Sequence, residues 1–328
     1  MSLPDVEELG PEDEVPPDGG SGWRRVAALV VVGAVLTVAV AVWDQLRADG
    51  PPPAPPGSWT LVPHTGLGAW VDAYDWTAEL GGTDPAVGPD DLAAMADAGV
   101  QTLYLQTSHR RSASTILEPE RLDEMIQGAH AEGMHVVAWY LPTYTDVDDD
   151  LARLVASADL PVDGLAVDVE STEVVDPAER TARVLELSRR LRAAIPADKA
   201  IAAITLSTVH VEVVNPAFWP GYPYAELAAG YDVLLPMAYW TLRTGDLRSS
   251  VRYIGENVDR LRALVGDDEP IHVIGGIADA ATAADVEGML AALRARDVIG
   301  GSLYDWATAN PAQWAILRPL RDLRPKLR

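Results

Sequence analysis

The sequence contains no cysteine, one phenylalanine and few basic residues. Without cysteine the chain can form no disulfide, no thiolate metal site and no cysteine nucleophile. Its 25 lysines and arginines stand against 49 aspartates and glutamates, and the net charge of −24 argues against binding to nucleic acid. No H-x-x-x-H pair, no G-x-S-x-G and no G-x-G-x-x-G after the first predicted strand occurs. We therefore expect neither a metal nor a cofactor.

One long apolar segment stands near the N-terminus. Residues Val26–Trp43 carry no charge, and a helix of this length can just cross a bilayer. Because Arg24 and Arg25 precede the segment, it predicts a transmembrane signal-anchor helix over residues 23–44, with the N-terminus in the cytoplasm and the lipid bilayer as a partner. The small residues of Ala39-Val40-Ala41 leave a cleaved signal peptide and a secreted protein as the alternative.

The predicted anchor divides the chain into four parts. Residues 1–22 are acidic and rich in proline, which predicts a disordered cytoplasmic tail. Residues 45–60 contain a run of prolines and form a stiff linker. Residues 61–328 are then a catalytic domain on the extracellular side of a single-pass cell-membrane protein.

Short apolar strands alternate with amphipathic helices throughout this domain. Such alternation is typical of a parallel sheet covered by helices, and eight units in about 250 residues match a (β/α)8 TIM barrel. An open doubly wound sheet is the alternative. The predicted strands are Gly68–Trp76, Thr102–Ser108, His135–Pro142, Gly164–Glu170, Ala200–Ser207, Tyr231–Trp240, Ile271–Ala278 and Gly301–Thr308.

The fourth predicted strand carries two acids at its end. Asp168 and Glu170 are two residues apart, so their side chains project from the same face of the strand, together with Ala166. Two carboxylates in a dry pocket resist ionising together, so one of them tends to keep a proton, as a general acid must. A strand end whose acids meet solvent or arginines is the alternative.

Other predicted strand ends carry aromatic and polar side chains. A sugar ring has an apolar C–H face and a fringe of hydroxyls, so flat aromatic groups beside hydrogen-bonding groups suit it. We therefore predict a polysaccharide site at this end of the barrel, although any single tryptophan could instead fill the top of the core. The predicted substrate-binding residues are Asp72, Asp75, Trp76, Gln106, Trp139, Tyr140, Trp240, Asp305 and Trp306.

The fourth strand resembles that of the chitinase-type (family 18) glycoside hydrolases, which are (β/α)8 barrels. The family signature there is D-G-x-D-x-D-x-E, and its last residue is the catalytic acid. Asp163, Gly164, Asp168 and Glu170 match it in spacing, while Ala166 replaces the middle aspartate.

Two further segments are similar to motifs of the same family. Met237-Ala238-Tyr239 fits the sixth-strand motif M-x-Y-D, with Trp240 in place of its acid. Gly300–Trp306 is similar to the eighth strand, which opens with two glycines and ends in a tryptophan that lines a sugar subsite. The resemblance covers residues 68–306.

The resemblance implies catalytic roles for three residues. Glu170 would protonate the leaving glycosidic oxygen. Asp168 would orient the 2-acetamido group of an N-acetylated substrate, whose carbonyl attacks the anomeric carbon, and Tyr239 would hydrogen-bond that group. The implied function is hydrolysis of an N-acetylated polysaccharide of the cell envelope or the extracellular space.

The absence of the middle aspartate keeps other mechanisms open. With Ala166 in that position, a second carboxylate could act as nucleophile or base opposite Glu170, as in two-carboxylate glycosidases. Lysozymes of the family-25 type also carry a D-x-E on a barrel strand. A catalytically inactive barrel that binds glycans, or acts as a cell-envelope scaffold, is the alternative function. The candidates for the second carboxylate are Asp72, Asp75, Asp168 and Asp305.

Overall fold

A computed structural model describes residues 61–196 and 198–323, and its centre is a sheet of eight parallel strands. The strands are β1 (Gly66–Val71), β2 (Thr102–Gln106), β3 (His135–Tyr140), β4 (Gly164–Val169), β5 (Ala200–Thr205), β6 (Val233–Pro236), β7 (His272–Ile277) and β8 (Gly300–Tyr304). They pair in the order β6-β5-β4-β3-β2-β1-β8-β7. Two parallel bridges, Leu234 to Ile271 and Met237 to Ile274, join β6 to β7 and bring the sheet round on itself. The predicted (β/α)8 barrel is confirmed, and the open doubly wound sheet is wrong.

Helices follow the strands and cover the outside of the barrel. In chain order they are α1 (Ala73–Trp76), α2 (Ala78–Gly81), α3 (Leu92–Ala98), α4 (Pro119–Ala131), α5 (Val147–Ala158), α6 (Pro177–Ala194), α7 (Tyr224–Gly230), α8 (Ser250–Val265), α9 (Ala283–Arg294) and α10 (Pro311–Leu317). Local chemistry fixes where they begin. The carboxylate of Asp176 accepts hydrogen bonds from the N–H groups of Ala178 and Glu179, and Pro177 occupies the first turn of α6.

The sequence pattern predicted that the first strand ends at Trp76, but β1 ends at Val71. The reason is a capping box: the side chain of Asp72 accepts the N–H of Tyr74, while that of Asp75 accepts the N–H of Asp72. These bonds turn the chain into α1 directly after the strand. The capping box therefore places both aspartates at the C-terminal end of the barrel.

The inner face of β4 is defined by Gly164. A Cβ atom on this glycine would lie 3.1 Å from His64 Nε2 and 3.3 Å from Val137 Cγ2, both inside the barrel. Side chains alternate along a strand, so Ala166 and Asp168 also point inward. Trp139 of β3 pairs with Ala166 in register and faces the same interior.

The barrel interior below this level is filled by side chains. The rings of Trp70 and Tyr104 stack with their centroids 4.3 Å apart. The indole N–H of Trp70 donates to Ser302 Oγ at 2.8 Å, and His272 Nε2 lies 3.0 Å from the same oxygen. Because the interior is packed, a substrate can reach the inward-facing acids only at the C-terminal mouth.

The predicted tail (1–22), anchor helix (23–44) and linker (45–60) lie outside the described residues. Within residues 61–196 and 198–323, no helix is long and apolar enough to cross a membrane.

Candidate active site

Asp168 and Glu170 stand at the C-terminal end of β4, at the mouth of the barrel. The side chain of Asp168 is buried, with 7% exposure, and its Oδ1 has no hydrogen-bond partner. Burial and the charge of Glu170 raise the pKa of Asp168 well above its usual value. Burial also raises the pKa of Glu170. The pair therefore favours a shared proton near neutral pH, which is the electrostatic state that general-acid catalysis requires.

Two buried tyrosines hold the end of β4 in place. Tyr144, from the loop after β3, donates its hydroxyl to the carbonyl oxygen of Asp168 at 3.2 Å. Tyr222, from the segment after β5, donates to the carbonyl oxygen of Val169 at 2.7 Å. Neither tyrosine was predicted to have a role, although each follows a strand that pairs with β4.

We expect Asp168→Asn to stabilise the barrel at neutral pH. A folded-state pKa above the unfolded value means that stability is full below the unfolded pKa and falls as pH rises from there through the folded pKa. Asparagine cannot ionise, so it removes this loss, and the expected gain at pH 7 is about 1–3 kcal/mol, at about 1.4 kcal/mol for each pKa unit. Thermal melts at pH 4 and pH 7 measure it. An equal change in stability at both pH values would contradict the raised pKa of Asp168.

Tyr239 follows β6 and faces the acid pair. Burial, followed by the charges of Glu170, Asp168 and Asp305, raises the pKa of Tyr239 well above its usual value, so its hydroxyl stays protonated. Its ring centroid lies 6.1 Å from that of Tyr304 on β8. A protonated tyrosine beside two acids can donate a hydrogen bond to a substrate oxygen.

A second group of carboxylates lies across the mouth. Asp72, Asp75 and Asp305 come from the ends of β1 and β8, and one oxygen from each lies within 4.8 Å of the others. Burial, then the charges of Asp72 and Asp305, raises the pKa of Asp75 to about 7. Tyr304 donates its hydroxyl to Asp72 Oδ2 at 2.8 Å. The sequence pattern gave no role to Tyr304.

These three carboxylates, hereafter the acidic triad (Asp72, Asp75 and Asp305), have the spacing of metal ligands. Hard divalent cations such as Ca²⁺ and Mg²⁺ are bound by carboxylate oxygens. The triad is the part of the described structure that could hold one. The expected absence of a metal therefore stays a prediction.

Four of the predicted substrate-binding residues are buried within the protein. Trp76 and Trp240 are fully buried, so neither offers a face to a sugar. The indole N–H of Trp76 donates to the backbone oxygen of Gln106, and Gln106 Oε1 accepts the N–H of Ala73. The buried Tyr140 donates its hydroxyl to the carboxylate of Asp150 at 2.8 Å. Their roles in substrate binding therefore stay predictions, and in this structure the four side chains are buried.

Trp139 and Trp306 remain candidates for sugar contact. Trp139 is largely buried beside Ala166, and its indole N–H has no hydrogen-bond partner. Trp306 is half-buried, and its ring packs 5.1 Å from that of Trp314. Trp139 therefore has a free donor near the acid pair, and Trp306 has part of a ring exposed near the triad.

Comparisons with known proteins relate this chain to others through its fold. No protein-family model matches it, and no curated protein matches its sequence. A solved endo-β-1,4-mannanase from Thermotoga petrophila is similar with a TM-score of 0.61 at 10% identity, covering 80% of this chain and 77% of that one. The spore cortex-lytic enzyme SleL of Bacillus cereus gives 0.60 at 10% identity, covering 78% and 74%. A chitinase from Chromobacterium violaceum gives 0.53 at 14% identity, covering 79% and 100%. The chain shares the barrel of these glycoside hydrolases.

Proposed function

We propose that the chain is a glycoside hydrolase in which Glu170 is the general acid. The observation that carries this proposal is the acid pair on β4: Asp168 is buried and unpaired on the inner face, and burial raises the pKa of Glu170 beside it. A raised pKa keeps a carboxyl protonated at the pH where it must donate to a leaving oxygen. Tyr239 lies beside the pair and adds a hydrogen-bond donor.

The names of similar structures support a glycan as the substrate. They include mannanases, chitinases and spore cortex-lytic enzymes. A barrel fold does not determine function, so the proposal depends mainly on the acids at the mouth. Only the family resemblance implies an N-acetylated substrate. The acetamido-assisted mechanism of that family uses the middle aspartate of the motif, and this chain has Ala166 there.

The proposed mechanism has two carboxylates. Glu170 protonates the glycosidic oxygen as the bond to the anomeric carbon breaks. The second carboxylate either attacks that carbon or activates a water molecule. Asp168 and the acidic triad supply the candidates for this role.

A glycan-binding barrel without activity is the second candidate function. The observation that favours it is position 240, where the resembled family has an acid and this chain has a fully buried tryptophan. Ala166 removes a further acid from the mouth. Such a barrel would bind the same glycans without releasing products.

We also propose that the protein works outside the cytoplasm. The uncharged run Val26–Trp43 and the basic residues before it support a single-pass anchor with the barrel on the extracellular side. Cleavage after the run would give a secreted enzyme. A reporter fused to the C-terminus distinguishes either arrangement from a cytoplasmic barrel.

The pH dependence of hydrolysis tests the proposed acid. The general acid must be protonated, so kcat should fall as pH rises through the upper apparent pKa of the Asp168–Glu170 pair. Burial places this fall above 4.5, the usual pKa of a glutamate. Asp75→Asn serves as the control, because the pKa of Asp75 lies near 7 and could produce a similar fall. A fall that disappears in Asp75→Asn would contradict the role of Glu170.

A further inference from the structure

The two carboxylate groups at the mouth face one space. The ring of Tyr239 lies 6.1 Å from that of Tyr304, and the charges of Glu170, Asp168 and Asp305 all act on its hydroxyl. Tyr304 connects the same region to Asp72 through its hydrogen bond. A substrate seated against the acid pair therefore lies beside the acidic triad.

This space has no counter-charge among the described residues. None of the five carboxylates at the mouth forms an ion pair with lysine or arginine in the described parts of the chain, although ion pairs are frequent on the outer helices. The charge of Asp72 does act on His109. Burial and the neighbouring arginines nevertheless lower the pKa of His109, so it is neutral at neutral pH. Several acids thus share a half-buried space without a cation.

The unpaired oxygen of Asp168 is an independent sign of a ligand. It points inward from β4, its side chain has 7% exposure, and no protein group donates to it. A buried carboxylate oxygen without a donor is costly, and such an atom at a mouth is satisfied when a ligand brings the donor. A ligand that carries N–H or O–H groups would supply the missing donor while this oxygen is ionised.

We propose that the substrate is a cationic glycan built from amino sugars with free, protonated amino groups, one of which binds within the acidic triad. This inference rests on the proposed function, because it names the substrate of the same site. An ammonium group has three donors, and three carboxylates within 4.8 Å of one another can accept them. Acetylation would remove the charge and two of these donors.

The electrostatics of the triad agree with an ammonium ligand. The three carboxylates bring one oxygen each within 4.8 Å of the others, so their negative charges repel one another. A bound cation offsets that repulsion. In addition, a free amino sugar has no acetamido carbonyl and cannot react by the acetamido-assisted mechanism, which agrees with Ala166 in place of the middle aspartate.

Calorimetry with the full-length Glu170→Gln protein tests the proposal. The two ligands are a glucosamine hexamer and its fully N-acetylated counterpart, at neutral pH. We expect the free-amine hexamer to bind at least about tenfold more tightly, equivalent to roughly 1.4 kcal/mol. Equal or tighter binding of the acetylated hexamer would overturn the proposal. So would loss of the free-amine binding on adding a chelator, since the triad would then hold a metal.

A matched pair of variants separates the triad from the overall charge of −24. The first adds Asp72→Asn, Asp75→Asn and Asp305→Asn, which keep the side-chain oxygens that cap the loops. The second neutralises Asp97, Asp159 and Asp267, which are exposed at the ends of α3, α5 and α8 on the opposite face of the barrel. The preference for the free-amine hexamer should disappear only in the first. Equal losses in both would overturn the proposal, because binding would then follow net charge.

Hydrolysis by the unaltered protein separates this inference from the proposed function. Preferential cleavage of the free-amine hexamer supports both. Cleavage of the acetylated hexamer at the same or a higher rate keeps the hydrolase and overturns the inference. Selective binding of the free-amine hexamer with no cleavage of either keeps the inferred ligand and overturns the hydrolase.

Discussion

Glu170→Gln is expected to lower kcat on a glycan by about 10²–10⁴-fold, the usual contribution of a general acid. Glutamine keeps the shape of the side chain and cannot protonate the leaving oxygen. An aryl glycoside with an acidic leaving group needs little protonation, so its hydrolysis should fall much less. Steady-state kinetics on both substrate types measure the difference.

Glu173→Gln is the control for this prediction. Glu173 belongs to the same loop after β4, is exposed and forms an ion pair with Arg110. The control should keep its rate on both substrates. A Glu170→Gln protein that loses activity equally on both would contradict the general-acid role.

Arg153→Met is expected to destabilise the barrel by about 3–5 kcal/mol, because it leaves several backbone oxygens without donors. Arg153 lies on α5 and is almost fully buried under the loop after β2. Its guanidinium donates to the carbonyl oxygens of His109, Ser112 and Ser114 at 3.2, 3.1 and 2.9 Å. The loop that carries His109 should also become less ordered.

Thermal unfolding measures this loss. With roughly 2–4 °C per kcal/mol for a domain of this size, Tm should fall by roughly 6–20 °C. Arg190→Met is the matched control, since Arg190 forms its ion pairs with Asp148 and Glu186 on the surface, where solvent screens them, and the Tm of this variant should change little. Equal Tm changes in the two variants would show that the buried hydrogen bonds do not stabilise the loop.

The barrel was predictable because its signals are local. Each strand is a short apolar run followed by an amphipathic helix, and this alternation identifies a parallel sheet without any tertiary information. The acid pair was predictable for the same reason, since Asp168 and Glu170 are two residues apart on one strand. Burial of the strand end raises both pKa values, and the charge of Glu170 raises that of Asp168 further.

The rest of the site depends on contacts between distant parts of the chain. The sequence identified Asp72, Asp75 and Asp305 separately, but their approach depends on the pairing of β1 with β8 and on the capping box after β1. Trp76 and Trp240 are aromatic side chains of the kind that bind sugars, yet the fold buries both of them completely. Neither the hydrophobic periodicity nor any sequence motif predicts which aromatic side chains at a strand end remain exposed.

Hydrolysis in H₂¹⁸O by the full-length protein decides between a glycoside hydrolase and an inactive barrel. A panel of acetylated, free-amine and neutral glycans is incubated with the protein and with its Glu170→Gln variant, and the products are weighed by mass spectrometry. We expect shorter glycans with one heavy oxygen at the new reducing end, and at least about 10²-fold less product from the variant. Intact glycans with the unaltered protein, despite measurable binding, would rule out the hydrolase and identify an inactive glycan-binding barrel.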